Sequence, residues 1–200
     1  MRNIKFKPWI GTDYGKTRYG KLLIVGESHY DYRNATDLSN FTKNTLQRML
    51  KKRKDVNPFY VKIGEIFNPN DHLEIWSKVA FANAIQHLYP EPRGRITTQQ
   101  LETVIPALQE YLERTKPAKM IVFSAKVWGP GIPDSSPCGD FIETLSDNEN
   151  KKEGTVLRFK YEGGQCYAIG LHHPSSWNPP FKPEEWRPLV MKFLNKDYAA

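Results

Sequence analysis

Three short segments of this chain carry side chains suited to chemistry. They are Gly26-Glu27-Ser28-His29-Tyr30-Asp31, then Phe81-Ala82-Asn83, then His172-His173-Pro174-Ser175-Ser176-Trp177-Asn178. A positioned imidazole donates to developing negative charge, a carboxylate orients water, and an amide presents a donor beside an acceptor. The first segment is not a nucleophile elbow, because Gly-x-Ser-x-Gly needs glycine where Tyr30 stands. No glycine-rich phosphate loop or dinucleotide fingerprint occurs. Cys138 and Cys166 lie far apart and cannot build a four-cysteine zinc or iron–sulfur site. No metal and no cofactor is expected.

The surrounding pattern says what must position these residues. Leu22-Leu23-Ile24-Val25 is a continuous apolar run ended by Gly26, the mark of a buried parallel strand. Thr36 to Lys54 is helical at its centre, through Leu46, Met49 and Leu50, and Asn57-Pro58 opens a further segment to Phe67. Trp76 to Ala82 reads as a strand that delivers Asn83. Tyr89 to Gly94 reads as a loop. Thr97 or Thr98 caps a helix with a Leu101, Val104, Ile105, Leu108 and Leu112 stripe, and Pro106 inside it predicts a kink or break. Met120 to Phe123 is the next strand, and a loop runs from Trp128 to Pro137. A short helix is expected near Phe141 to Leu145, and an exposed turn over Asp147 to Gly154. Val156 to Tyr161 and Cys166 to Leu171 flank Glu162-Gly163-Gly164 as a hairpin. Trp186, Leu189, Val190, Phe193 and Leu194 make a final amphipathic helix. The alternation predicts an α/β fold, a three-layer α/β/α sandwich around a mostly parallel sheet. Gly26, Asn83, Ser124 and His172 all fall at predicted strand ends, where such sheets gather ligands.

Composition sets the bounds. The chain has 200 residues, a mass of 23.2 kDa and a net charge of +7. One domain over 1–200 is expected, with a core large enough to exclude wholesale disorder. The basic excess favours an acidic partner such as nucleic acid. No apolar run approaches the ~18–20 residues of a membrane span, and the first residues do not read as a secretory signal. Two cysteines fit reduced thiols in the cytoplasm.

Taken together, the segments resemble the uracil-DNA glycosylase superfamily. Its best-known branch ends the first strand in Gly-Gln-Asp-Pro-Tyr-His, where this chain has Gly26-Glu27-Ser28-His29-Tyr30-Asp31; other branches begin Gly-Glu. The family's His-Pro-Ser-Pro motif is similar to His173-Pro174-Ser175-Ser176, and its Trp…Leu-Asn segment to Trp76 through Asn83. Phe41 with Leu46-Gln47-Arg48-Met49, and the Met120–Gly129 stretch, also match in order. The resemblance covers most of residues 19–195. It implies a uracil-DNA glycosylase-like fold and a monofunctional glycosylase acting on DNA; a monomer is expected, and two cysteines are too few for the iron–sulfur cluster of some branches.

Such an enzyme flips a nucleotide from the stack and breaks the sugar–base bond. The resemblance makes His173 the donor to the leaving base, with His172 as the weaker candidate. Ser28 stands where the best-known branch has its water-activating Asp and carries no charge, so either Glu27 or Asp31 would hold the water or catalysis would lean more on stabilising the leaving base. Asn83 would read the base, and its orientation alone does not choose between uracil and cytosine. Phe41 would stack on the base and Tyr30 would wall off its 5-position. Trp177 and Asn178 would fill the gap in the DNA, and Ser175 and Ser176 would grip phosphate. Arg48, Lys51 and Lys52 share a helix face that either contacts phosphates or is simply solvated. Lys126 is the lysine to watch for lyase chemistry. The changes at Ser28 and His29 leave the substrate open: uracil, or a modified base such as the glucosylated hydroxymethylcytosine of phage DNA that some antiviral members remove. A non-catalytic sensor of modified DNA and a nucleoside or nucleotide hydrolase remain the alternatives.

Overall fold

A computed structural model describes residues 4–30, 36–54, 56–90, 96–132, 139–176 and 178–198. Asp31, Cys138 and Trp177 lie outside the described residues.

In chain order the elements are β1 (Trp9–Ile10), β2 (Leu22–Gly26), β3 (His29–Tyr30), α1 (Phe41–Lys52), α2 (Pro58–Phe67), a 3-10 turn (Glu74–Ser77) and β4 (Ala80–Asn83). There follow β5 (Leu88–Tyr89), α3 (Thr98–Glu102), α4 (Val104–Thr115), β6 (Lys119–Phe123), β7 (Gly139–Asp147), β8 (Lys152–Tyr161), β9 (Gly164–Leu171) and α5 (Pro183–Asn195). Seven strands form one sheet in the order β1-β4-β2-β6-β9-β8-β7. The four central strands, β4, β2, β6 and β9, are mutually parallel. Antiparallel strands extend the sheet on both sides.

The side-chain alternation of each central strand builds the layers. Leu22 and Ile24 of β2 face one core with α1, α2 and α5; Leu23 and Val25 face the other with α4. Every residue of β2 is buried, so its sequence is a continuous apolar run rather than an alternating one. The result is the expected three-layer α/β/α arrangement.

Several local expectations are revised. Phe141 to Leu145 is not a helix but the middle of β7, paired with β8. A register shift between Phe141 and Glu143 leaves Phe141 57% exposed and Leu145 4% exposed, and this breaks the alternation that marks a strand. The segment before Asn83 is a 3-10 turn before it is a strand, and Tyr89 is paired in β5, against β3, rather than looped. The break expected around Pro106 is present: the stripe divides at Thr103, and Pro106 sits in the first turn of α4, where its missing N–H costs no helix bond. Thr97, not Thr98, is the cap of α3, and it shares a capping box with Gln100.

Candidate functional site at the strand-end rim

The parallel strands end together. Gly26, the last residue of β2, pairs directly with Asn83, the last residue of β4. Ser124 follows β6, and His172 and His173 follow β9. Residues far apart in the chain thereby meet on one rim.

Gly26 is bare for a reason. A Cβ there would stand 2.3 Å from Asn83 Oδ1 and 3.0 Å from Phe59 Cζ. The missing side chain lets the Asn83 amide lie against the end of β2. Asn83 is 4% exposed, and its carbonyl accepts from Gln86 Nε2 at 3.0 Å and from the Tyr111 hydroxyl at 3.2 Å. Gln86 Oε1 in turn accepts from the Lys5 backbone at 2.9 Å. This amide clamp fixes the chain just after Asn83.

Glu27 is 8% exposed. Its Oε2 accepts from the Ser124 hydroxyl at 2.7 Å, and Ser124 Oγ accepts from the Val127 N–H at 3.3 Å. The amide turns the hydroxyl hydrogen toward the carboxylate. Ser28 Oγ is buried and has no hydrogen-bond partner among the described residues. His29 is wholly buried, its ring edge-on to Phe6 and to Phe41 at 4.8 Å each, with Nε2 at 2.8 Å from Thr42 Oγ1. Burial drives its pKa down to about 3, so it is a neutral core residue.

His173 is held from three sides. Its Nδ1 accepts from the Ser175 N–H at 3.1 Å. That contact assigns the proton of the neutral ring to Nε2, leaving Nε2–H as a donor. Its ring lies 5.2 Å from Phe59, and its carbonyl accepts from the Ser176 N–H at 2.8 Å. Lys62 of α2 donates to the Pro174 carbonyl at 3.0 Å and ties the loop to that helix. Burial lowers the His173 pKa; the negative charge of Glu27 opposes this and the positive charge of Lys126 adds to it. The imidazole is therefore neutral at pH 7.

The other predicted residues divide by place. Tyr30 is half-buried and lies 5.8 Å from Tyr89, whose hydroxyl donates to Gln100 Oε1 at 2.6 Å. Phe41 opens α1 beside His29. Ser175 and Asn178 are exposed and Ser176 is half-buried. Arg48, Lys51 and Lys52 are exposed, but α1 carries them away from Phe41; Lys51 stands about 15 Å along the axis at 1.5 Å per residue. The structure thus brings together Glu27, Ser28, Asn83 and His173, with Tyr30 in β3 and Phe41 at the start of α1, and sets the basic helix end apart. Lys126 is exposed beside His173.

Sequence reasoning placed Ser124 on the rim without its carboxylate partner. It gave no role to Phe59, Lys62 or Gln86. The apolar-aromatic start of α2, directly after the Asn57 cap, was the available signal for Phe59.

Among the described residues no group of three or more His, Cys, Asp or Glu side chains could hold a metal ion. None of their helices is long and apolar enough to cross a membrane. The buried Cys166 thiol is pushed up by desolvation and does not ionise at neutral pH. No protein-family model matches the chain, and no curated protein matches it in sequence.

Proposed function

We propose that the protein is a monofunctional DNA glycosylase, acting as a cytoplasmic monomer on a flipped uracil or modified pyrimidine. The observation that carries this reading is the neutral His173, whose Nδ1 is occupied by the Ser175 N–H beside the carboxylate of Glu27. An Nε2–H fixed in this way is a donor for a leaving base. In the step it serves, the bond between C1′ and the base nitrogen breaks and its electron pair leaves with the base. His173 Nε2–H donates to the pyrimidine oxygen on which that charge collects. Water bonds to C1′ and gives its proton to Glu27, and solvent protonates the released base. Ser124 fills one Glu27 oxygen and so sets how the carboxylate faces that water. Asn83 supplies the donor and acceptor pair for the base edge. The family resemblance in the three rim segments supports the same assignment.

Duplexes and single strands carrying uracil or 5-substituted cytosines, treated with the protein and then alkali, test it. Strand breaks at one such base are expected. No breaks on any substrate would sink the proposal. Glu27→Gln and His173→Ala are each expected to slow release about 10²–10³-fold while DNA binding persists. The buried Ser28 hydroxyl, in place of a carboxylate, favours one other reading: a sensor that binds modified DNA tightly and salt-sensitively with no release. Faster release from mononucleotides than from DNA would instead indicate a nucleoside or nucleotide hydrolase.

A further inference from the structure

The turn between β7 and β8 reaches the rim for a topological reason. β8 runs antiparallel to β9, with Val156 opposite Ile169, so β8 begins at the level where β9 ends. The residues before it stand beside the loop that carries His173. Between turn and loop lies a cleft of about 340 Å³, lined by Lys151, Lys152, Glu153, His172, Ser176 and Trp186 among others. A second cleft of about the same volume shares Lys151, Lys152 and Glu153 and continues along the turn past Ser146 and Asn148.

The lining is chemically specific. The exposed His172 ring lies 5.2 Å from the buried Trp186 ring, and the Lys152 ammonium sits 5.2 Å over the same indole. Lys152 also pairs with Glu185 at 2.9 Å, so its cation is held in one place. Lys151 is exposed at the turn, with φ of 51°, and makes no ion pair among the described residues. The volume lies at the small end of the roughly 300–1,000 Å³ range of ligand pockets, the scale of one nucleotide rather than a duplex. The Lys151 ammonium and the Ser176 hydroxyl suit a phosphodiester, with Lys152, already paired to Glu185, beside them. The His172 ring offers a face for a base, and the Glu153 carboxylate accepts from an exocyclic amine.

We propose that this cleft binds the nucleotide flanking the flipped one in the same strand. That the neighbouring nucleotide is flipped rests on the glycosylase reading; the nucleotide site itself does not. Ser176 belongs to both the cleft and the His173 loop, so the cleft adjoins the rim.

The test is the dissociation constant of fluorescein-labelled single-stranded oligonucleotides, with and without uracil, over a range of salt. Lys151→Glu is expected to weaken binding about tenfold and to lower the salt slope by about one. His172→Ala is expected to weaken it about fivefold or more. Lys160→Glu, at the far end of β8, makes the same change in net charge and should leave binding within twofold of wild type. Equal affinity for wild type, Lys151→Glu and His172→Ala would overturn the cleft, as would an equal loss in the Lys160→Glu control. Weakened binding in the two cleft variants, with no base released by the wild type from any substrate, would retain the nucleotide site and reject the glycosylase reading.

Discussion

Glu27 depends on a hydroxyl that lies 97 residues away in the chain, Ser124 Oγ. A hydrogen bond to a charged group is worth about 1.5–3 kcal/mol, enough to fix one carboxylate rotamer. Ser124→Ala should therefore slow single-turnover base release about tenfold or more and leave the affinity for substrate DNA unchanged. Ser124→Thr, which keeps the hydroxyl, should recover most of the rate. Quenched single-turnover assays check this, and a Ser124→Ala rate within twofold of wild type would remove Ser124 from the role. His29 makes a separate, purely structural prediction. Its pKa falls from 6.5 to about 3 on burial. Between those values the unfolded chain takes up a proton that the folded ring refuses. Stability is therefore lost as pH falls below about 6.5, at about 1.4 kcal/mol per unit, until about pH 3. His29→Gln keeps a partner for Thr42 and removes this sensitivity. Urea unfolding should show wild type losing about 2 kcal/mol more than the variant between pH 7 and pH 5; equal losses would contradict it.

At the scale of elements, α2 is the support of the site. Phe59 backs His173, Lys62 holds the Pro174 carbonyl, and Arg187 of α5 donates to the Ile66 carbonyl at 3.0 Å. The helix packs on its other neighbour, the His72 backbone, only because of Gly64, where a Cβ would stand 1.8 Å from the His72 carbonyl oxygen. Gly64→Ala should cost about 1–3 kcal/mol, because the obstacle is backbone and cannot rotate away. Thermal unfolding measures this, and an unchanged Tm would show that the helix has room to retreat. Which elements the sequence revealed follows from the same local physics. β2, β6, α5 and the β8–β9 hairpin carried strong signals: continuous apolar runs, an i, i+3, i+4 stripe and a Gly-Gly turn. β7 did not, because its register shift disrupts the two-residue period. β3 and β5 are two residues each, too short to have a period, and their pairing is visible only in three dimensions. The types of the rim residues were readable in the same way. Their partners were not: the Ser124 bond and the Gly26–Asn83 contact both exist only once distant strands lie side by side.

Across the whole molecule, charge and site do not coincide in the simplest way. The densest basic run sits toward the far end of α1, with Arg53 paired to Asp71 at 3.0 Å, whereas the rim has Lys126, Lys62 and the Lys151–Lys152 turn. The net charge of +7 is thus a poor guide to where an acidic partner would lie. The strand order has a deeper effect. The β8–β9 hairpin is local, but β2 must find β4 and β6 across long stretches of chain, and such non-local parallel pairing is slow to form. Refolding from urea should therefore restore hairpin structure first, and oligonucleotide binding and base release only with the full native fluorescence. Activity returning ahead of that signal would contradict the order. Glu27 and His173 stand far apart in the sequence, on segments that follow β2 and β9, so the rim is complete only when both have been made and folded together. Under the proposed glycosylase reading, base release then begins only once both segments are folded against each other, so a partly made copy leaves DNA intact.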